Sequence, residues 1–117
     1  MKDFREIFVW QRSHALTLEI YRLTQLFPKE EMFSLTSQMR RAASSIPANI
    51  AEGCGRDGDP ELKRFMNISL GSACELDYFL LPSGDRGYIS REEAVKLAAE
   101  ILEIRRMLGA FIQKLKA

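Results

Sequence analysis

The stretch SQMRRAASSIPANIAEG, residues 37–53, carries polar side chains at a spacing that could bind phosphate or build a buried network. Residues three and four positions apart share one face of a helix, and buried polar groups need partners. Glu75 or Asp77, on a later helix, could pair with Arg41. We therefore predict a structural polar network of Gln38, Arg41, Ser45, Asn49, Glu52 and Glu75. A functional site is the alternative, but no nucleophile lies beside a general base.

Basic residues form a second candidate site, around the second predicted helix and the start of the third. This predicted nucleic-acid-binding set consists of Arg40, Arg56, Lys63 and Arg64. A helix end and a Gly-rich loop leave arginine heads and backbone N–H groups available to phosphate oxygens, and such binding weakens as salt rises. Acids are interleaved with these residues, so a solvated surface is the alternative. The formal net charge of only +1 does not mark a strongly basic protein.

Other chemistry finds little support in the residue pattern. His14 is the single histidine, so a Ser-His-Asp triad or a zinc site lacks partners. Gly53-Cys54-Gly55 is a fragment of a dinucleotide fingerprint and follows a predicted helix rather than a strand. The Glu-x-x-His pairs of di-metal bundles do not occur in the sequence. We expect no enzymatic activity, no cofactor and no metal, and we expect Cys54 and Cys74 to be reduced thiols.

Length and composition indicate a single domain over residues 1–117. The chain has 117 residues, of which 46% are hydrophobic and 28% are charged, as is typical of a globular domain. No apolar run approaches the roughly 20 residues that cross a bilayer, so no membrane association is expected. The opening MKDFREIF contains acids and lacks a signal-peptide pattern, which predicts a cytoplasmic protein.

Apolar residues recur every three or four positions along most of the chain, which predicts helices and no strands. The first helix is expected from Phe4 to Phe27, with Asp3 and Glu6 as a capping box and Pro28 ending it. Its apolar surface is wider than the stripe of about 100° that one bundle core requires. We therefore expect this helix to contact a second surface, which predicts an oligomer.

The second helix is expected to begin after a Ser34 cap and to end near Cys54, where glycines follow. Pro47 lies inside it and removes one backbone hydrogen bond, so it predicts a kink. Ser44 and Ser45 precede the proline and could bond the freed carbonyl groups. The apolar stripe continues past the proline, which favours one kinked helix over two.

The third and fourth helices have clear start signals. Asp59 is the expected cap of the third, with Pro60 at its first position, and the stretch that begins at Pro82 is expected to close it. Ser90 and Glu93 predict a capping box for the fourth, which then runs to the C-terminus. Short loops between four long helices predict an up-down-up-down bundle. The alternative is a three-helix arrangement with the first helix in an intermolecular contact.

The string SLTSQMRRAASSIPANIAEGCGR, with FREIFVWQRSHAL before it and FMNISLGSACELDYFLL after it, resembles a known family. The family comprises four-helix-bundle proteins encoded in intervening sequences of bacterial 23S ribosomal RNA genes. Its superfamily includes the accessory variability proteins of diversity-generating retroelements. SIPANIAEG, Ser45 to Gly53, and GSACEL, Gly71 to Leu76, are the most specific parts of a resemblance that covers nearly the whole chain.

The resemblance implies a single four-helix bundle that assembles into a homopentamer. It implies RNA or DNA binding for some members and a reverse transcriptase as partner for the retroelement branch, and it implies no catalytic residue. The segment LLPSGDRGYIS, Leu80 to Ser90, departs from the family pattern, since Pro82 and Gly84 are expected to shorten the third helix. The near-neutral charge is a second departure from the basic, RNA-binding members.

Overall fold

The structure is a computed structural model that describes residues 3–116. The two ends of the predicted domain, residues 1–2 and 117, lie outside this range. The described chain forms four long helices, which are α1 (Phe8–Thr24), α2 (Leu35–Cys54), α3 (Gly58–Asp85) and α4 (Arg91–Lys114). Two short 3₁₀ turns precede α1 and α2, and no strand occurs in this range. The predicted all-α fold of four helices is confirmed.

The four helices enclose one hydrophobic core in an elongated bundle of 43 × 24 × 20 Å. Each helix contacts the next, and α4 also contacts α1. Each of the four contributes side chains with no exposed surface, such as Ile20, Ile46, Leu76 and Ile101. None of the helices within residues 3–116 combines the length and hydropathy needed to span a bilayer. The up-down order and the bend at Pro47 remain predictions.

The first helix is shorter than the sequence predicted. Phe4–Glu6 form a separate 3₁₀ turn, and Ile7 is extended before α1 begins. The Asp3 carboxylate caps that short turn by accepting from the backbone N–H of Arg5 at 3.0 Å, and no bond from Glu6 completes a capping box. At the other end, the last backbone hydrogen bonds before Pro28 span three residues, as in a 3₁₀ helix. The α conformation is disfavoured for a residue that precedes proline.

Helix α2 continues without interruption through Pro47, and a side chain from α1 compensates for the missing backbone donor. The Ala43 carbonyl is the one that Pro47 leaves without its helical partner, and Ala43 is fully buried. It accepts from the Thr17 hydroxyl at 3.1 Å. The expected role of Ser44 and Ser45 is therefore wrong for this carbonyl. The Ser44 hydroxyl instead points back to the Arg41 carbonyl at 3.4 Å.

Two predictions about α3 are wrong. The helix starts at Gly58, with Asp57 in the cap position, rather than after Asp59. It also continues through Pro82 to Asp85, because that proline removes only the bond to the carbonyl of Tyr78, a residue that lies on the exposed face. The Pro82 carbonyl still accepts from a backbone N–H at 2.9 Å, which completes the last turn.

The predicted caps of the two remaining helices differ in outcome. Ser90 and Glu93 form both bonds of a capping box at the start of α4, as predicted, at 3.0 and 2.9 Å. Ser34 occupies the cap position of α2 but makes no capping bond, because its hydroxyl donates to the Glu31 carboxylate. The last residue of α4 is Lys114, three positions short of the predicted C-terminal end.

Candidate nucleic-acid interface

The connection between α2 and α3 brings three of the four predicted binding residues together. Gly53, one residue before the end of α2, allows the two helices to approach closely. A Cβ atom at this position would lie 2.9 Å from the Cβ of Phe65 on α3. Arg56 follows α2 directly, and Lys63 and Arg64 lie in the second turn of α3. We call this region the corner: Arg56 and Arg64, whose guanidinium groups lie over the Phe65 ring, and the neighbouring Lys63.

Both arginines of the corner are paired with carboxylates of their own helical segments. Arg56 donates to Glu52 at 2.8 Å, and Arg64 donates to Glu61 at 3.0 Å. Each guanidinium also lies over the Phe65 ring, 5.2 and 4.4 Å from its centroid. The hydrogen bond from Arg64 lowers the pKa of Glu61, so both charges are present at neutral pH. These pairs are exposed, and exposed pairs contribute little to stability.

Lys63 is the one cation of the corner that makes no ion pair within residues 3–116. Its side chain is half-buried. The acids Glu52, Asp57, Asp59 and Glu61 surround the corner's three cations in sequence. The corner therefore presents mixed charge rather than a positive patch.

Arg40, the fourth predicted binding residue, lies elsewhere. It precedes the last residue of α2 by 14 positions, which corresponds to about 21 Å of helix. Its Nε donates to the Thr24 hydroxyl at 2.9 Å, and its guanidinium lies 4.8 Å from the centroid of the Tyr21 ring. The predicted set of four is thus divided between two places on the surface.

A shallow groove of about 320 Å³ lies beside Arg40, between the C-terminal half of α1 and the first half of α2. We call it the α1–α2 groove. Its lining includes Tyr21, Phe33, Thr36, Ser37, Arg40 and Arg41. Arg41 is exposed and its guanidinium has no partner in the described part of the chain. The groove thus places an uncompensated cation beside aromatic rings and hydroxyl groups.

Two members of the predicted polar network, Ser45 and Asn49, are hydrogen-bonded to each other. The Asn49 side-chain amide donates to the carbonyl and to the hydroxyl oxygen of Ser45, at 2.8 and 2.9 Å. The Ser45 hydroxyl also accepts from Ser72 of α3 at 2.9 Å. A second hydroxyl of α3, on Ser69, donates to the Ile46 carbonyl at 2.8 Å. Hydroxyl groups therefore link α2 to α3, where the sequence predicted an arginine and a carboxylate.

The other members of that predicted network lie on the surface. Gln38, Arg41 and Glu75 line a second open groove, between α2 and α3, but make no side-chain hydrogen bond or ion pair within the described residues. Glu52 pairs with Arg56 of the corner. Asp77, the other suggested partner of Arg41, lies 3.8 Å from Arg105 of α4.

Sequence reasoning missed two contacts that join distant parts of the chain. Arg12 of α1 binds Glu100 of α4 through two hydrogen bonds, at 2.8 and 2.7 Å, which lower the pKa of that carboxyl group. Tyr88, in the connection from α3 to α4, donates to Glu31 at 2.8 Å. Ser69 and Ser72 were also missed as network members, although their spacing on α3 places both on the side that faces α2.

Among the described residues, no three His, Cys, Asp or Glu side chains lie close enough together to bind a metal ion. Cys54 is buried and Cys74 is exposed, and neither forms a disulfide. The chemistry that the surface offers is therefore ionic, aromatic and hydrogen-bonding.

Comparison with protein families identifies one match. The model of the 23S rRNA-intervening sequence proteins matches residues 5–110. The chain belongs to this family. The match includes all of α1, α2 and α3 and most of α4, so membership in the 23S rRNA-intervening sequence family applies to the whole bundle.

A solved structure supports the same assignment. It is the 1.70 Å crystal structure of a protein of unknown function from the S23 ribosomal protein family of Bacteroides thetaiotaomicron. The two chains align with a TM-score of 0.84 and 27% sequence identity, over 91% of this chain and 96% of the other. No curated protein matches this member of the 23S rRNA-intervening sequence family.

Proposed function

We propose that this protein is a non-catalytic homo-oligomer that binds nucleic acid through positively charged side chains. The observation that carries the proposal is the number of large apolar side chains left exposed on α1, α3 and α4. Examples are Phe8 on α1, Leu81 on α3 and Val95 on α4, each more than half exposed. Contiguous exposed apolar surface marks the sites at which proteins assemble.

A closed ring is the assembly that this proposal favours. Most soluble oligomers are homo-oligomers with closed symmetry, and the family resemblance implies five copies. Phe8 and Leu18 are exposed on α1, which supports the expectation that this helix contacts a second surface. The proposal places the protein in the cytoplasm, with RNA or DNA as its nucleic-acid partner.

Ring assembly would let a modest number of cations bind nucleic acid. Each protomer contributes Arg40, Arg56, Lys63 and Arg64, the set that the sequence predicted. Repetition around a ring adds weak contacts through multivalency. Contacts to phosphate carry no sequence information, so binding should be insensitive to sequence and should weaken with salt.

The test combines oligomer mass with RNA binding. Light scattering at micromolar concentration should return a multimer, and a monomer would contradict the proposal. Labelled structured RNA is then titrated at low and physiological salt. A variant with Arg40, Arg56, Lys63 and Arg64 all changed to Ala should bind more weakly than the wild type while keeping its oligomer mass. Equal binding by both proteins would exclude these residues.

A protein-only interaction scaffold is the second candidate. The pairing of Arg56 with Glu52 and of Arg64 with Glu61 favours it, because paired arginines release fewer counterions on meeting phosphate. A nucleic-acid enzyme, such as the reverse transcriptase implied for the retroelement branch, would then be the partner. A stable oligomer that binds no RNA even at low salt would select this candidate.

A further inference from the structure

Two aromatic rings border the α1–α2 groove and are open to solvent. Phe33 is 95% exposed, which makes it the most exposed large hydrophobic side chain among the described residues. Tyr21, on the opposite wall, is 42% exposed. The guanidinium plane of Arg40 lies against Tyr21 and is held there by Thr24. Exposed rings of this kind provide surfaces on which nucleic-acid bases stack, and a guanidinium plane adds to them.

The same groove contains a cation with no counterion. Arg41 lines it and makes no ion pair within residues 3–116, whereas Arg22, Arg56 and Arg64 each bind a carboxylate three or four positions away on their own helical segment. No such carboxylate exists for Arg41, because the positions three and four before and after it are Ser37, Gln38, Ser44 and Ser45. Its charge is therefore available to an anion.

A buried hydroxyl group in the groove lacks a partner. Thr36 is 2% exposed, and its Oγ1 makes no hydrogen bond in the described residues. A helical threonine can satisfy this oxygen by bonding a carbonyl of the preceding turn, as Thr17 and Thr24 do at 2.8 and 2.7 Å. Buried polar groups are nearly always paired. The fold therefore leaves one buried polar group unsatisfied directly beneath the wall of the groove.

We propose that the α1–α2 groove binds an unpaired nucleotide of a single-stranded nucleic acid. The base stacks against Phe33 and the Tyr21–Arg40 pair, and Arg41 neutralises the phosphate. Ser37, which is partly exposed, supplies a hydroxyl group for the polar edge of the base or the sugar. The volume of about 320 Å³ is at the lower end of ligand sites, which suits one nucleotide rather than a duplex. This inference rests on the proposed nucleic-acid binding and specifies its ligand and place.

The test is a fluorescence-anisotropy titration with labelled oligouridine and with an RNA duplex of the same length, at low salt. The groove variants are Phe33→Ala and Arg41→Gln. The matched controls are Tyr78→Ala, which removes another exposed ring, and Arg106→Gln, which removes another exposed arginine with no ion pair among the described residues. Circular dichroism and light scattering establish that each variant is folded and has the wild-type oligomer mass.

Each groove variant should weaken oligouridine binding at least about fivefold, which is the low end of the stacking contribution of one base. Binding of the duplex should change less, because its bases are already stacked. The Arg41→Gln protein should also show a salt dependence shallower by about one unit. Both controls should bind as the wild type does.

Three results would overturn the inference. If the wild type binds no nucleic acid at low salt, the proposed function fails together with the groove. If the wild type binds and the groove variants bind equally well, the groove is excluded while the proposed function stands. If Phe33→Ala changes the oligomer mass and leaves binding per protomer unchanged, the groove is instead covered by a second copy of the chain.

Discussion

The corner and the α1–α2 groove each combine arginines with an aromatic ring, but their arginines are in different electrostatic states. At the corner, Arg56 and Arg64 bind carboxylates at 2.8 and 3.0 Å. In the groove, Arg40 binds only a hydroxyl and a ring, and Arg41 binds nothing in the described chain. A cluster of cations in a sequence therefore does not identify a free positive surface. Carboxylates one helical turn away decide which charges remain available.

The largest effect expected at the corner follows from the close approach of α2 and α3. A Gly53→Ala change would place a Cβ atom 2.9 Å from the Cβ of Phe65, so one helix must shift. We expect a loss of roughly 1–3 kcal/mol in the free energy of unfolding, as is usual for overpacking. Urea denaturation measures it. The control is Gly71→Ala, which meets no atom within 4 Å and should stabilise by about 0.5–1 kcal/mol.

Removing the two carboxylates that bind the corner's arginines should leave those arginines unpaired, as Arg41 is in the α1–α2 groove. In a Glu52→Gln, Glu61→Gln variant, Arg56 and Arg64 lose their partners and become available to phosphate. We expect RNA affinity at low salt to rise roughly tenfold, with a salt dependence steeper by about one unit for each arginine released. An anisotropy titration at several salt concentrations measures both quantities.

The control for that experiment removes the same net charge elsewhere. Glu6→Gln with Glu103→Gln changes two exposed carboxylates that make no ion pair in the described residues. A general increase in positive charge would raise the affinity of this variant equally. That result would show that the pairing at the corner does not matter.

The hydrogen bonds between α2 and α3 should contribute more to the free energy of unfolding than the exposed side chains of the α1–α2 groove do. An Asn49→Ala change removes two hydrogen bonds to Ser45 and should cost about 1–2 kcal/mol of unfolding free energy. An Arg41→Ala change removes an exposed side chain with no partner and should cost less than about 0.5 kcal/mol. Thermal denaturation compares them. A larger loss for Arg41→Ala would mean that its partner lies in a second copy.

The smallest expected effect concerns pH at the Arg12–Glu100 pair, which lies away from both surfaces and serves as a reference. Its hydrogen bonds lower the pKa of Glu100 in the folded protein from the ordinary 4.5. The pair therefore stabilises the fold fully above pH 4.5 and loses this contribution as the pH falls through the lowered value. Both groups are about one-third exposed, so the contribution is at most about 1 kcal/mol.

The measurement compares the wild type with Glu100→Gln in urea at neutral and acidic pH. The wild type should be the more stable protein at neutral pH, and the difference should disappear well below pH 4.5. A difference that stays constant across this range would mean that Glu100 contributes through packing rather than through its charge.

Local signals in the sequence predicted much of the fold. The Ser90–Glu93 capping box and the end of α2 near its glycines depend on a few adjacent residues, and both were confirmed. Pro82 misled the sequence reasoning because a proline near a helix end removes only one bond, here at a carbonyl on the exposed face. The effect of Pro47 depends on Thr17, which lies 26 positions from the Ala43 carbonyl that it bonds.

The candidate site was harder to predict from the sequence than the fold. Arg40 and Arg56 belong to one cluster in the sequence but lie near opposite ends of α2. Arg12 and Glu100 are 88 positions apart and meet only because α1 packs beside α4. The pairing of Arg64 with Glu61 could have been predicted, since residues three apart share a helix face. The orphaned hydroxyl of Thr36 has no signal in the sequence.

A direct comparison of the two surfaces tests the central claim, that unpaired arginines contribute more to nucleic-acid binding than arginines paired with carboxylates. The groove variant is Phe33→Ala with Arg41→Gln, and the corner variant is Arg56→Ala, Lys63→Ala with Arg64→Ala. Both are titrated with labelled single-stranded RNA at low salt, after their oligomer mass is shown to equal that of the wild type. The account predicts that the groove variant loses roughly tenfold or more in affinity and the corner variant less. A greater loss for the corner variant would contradict it.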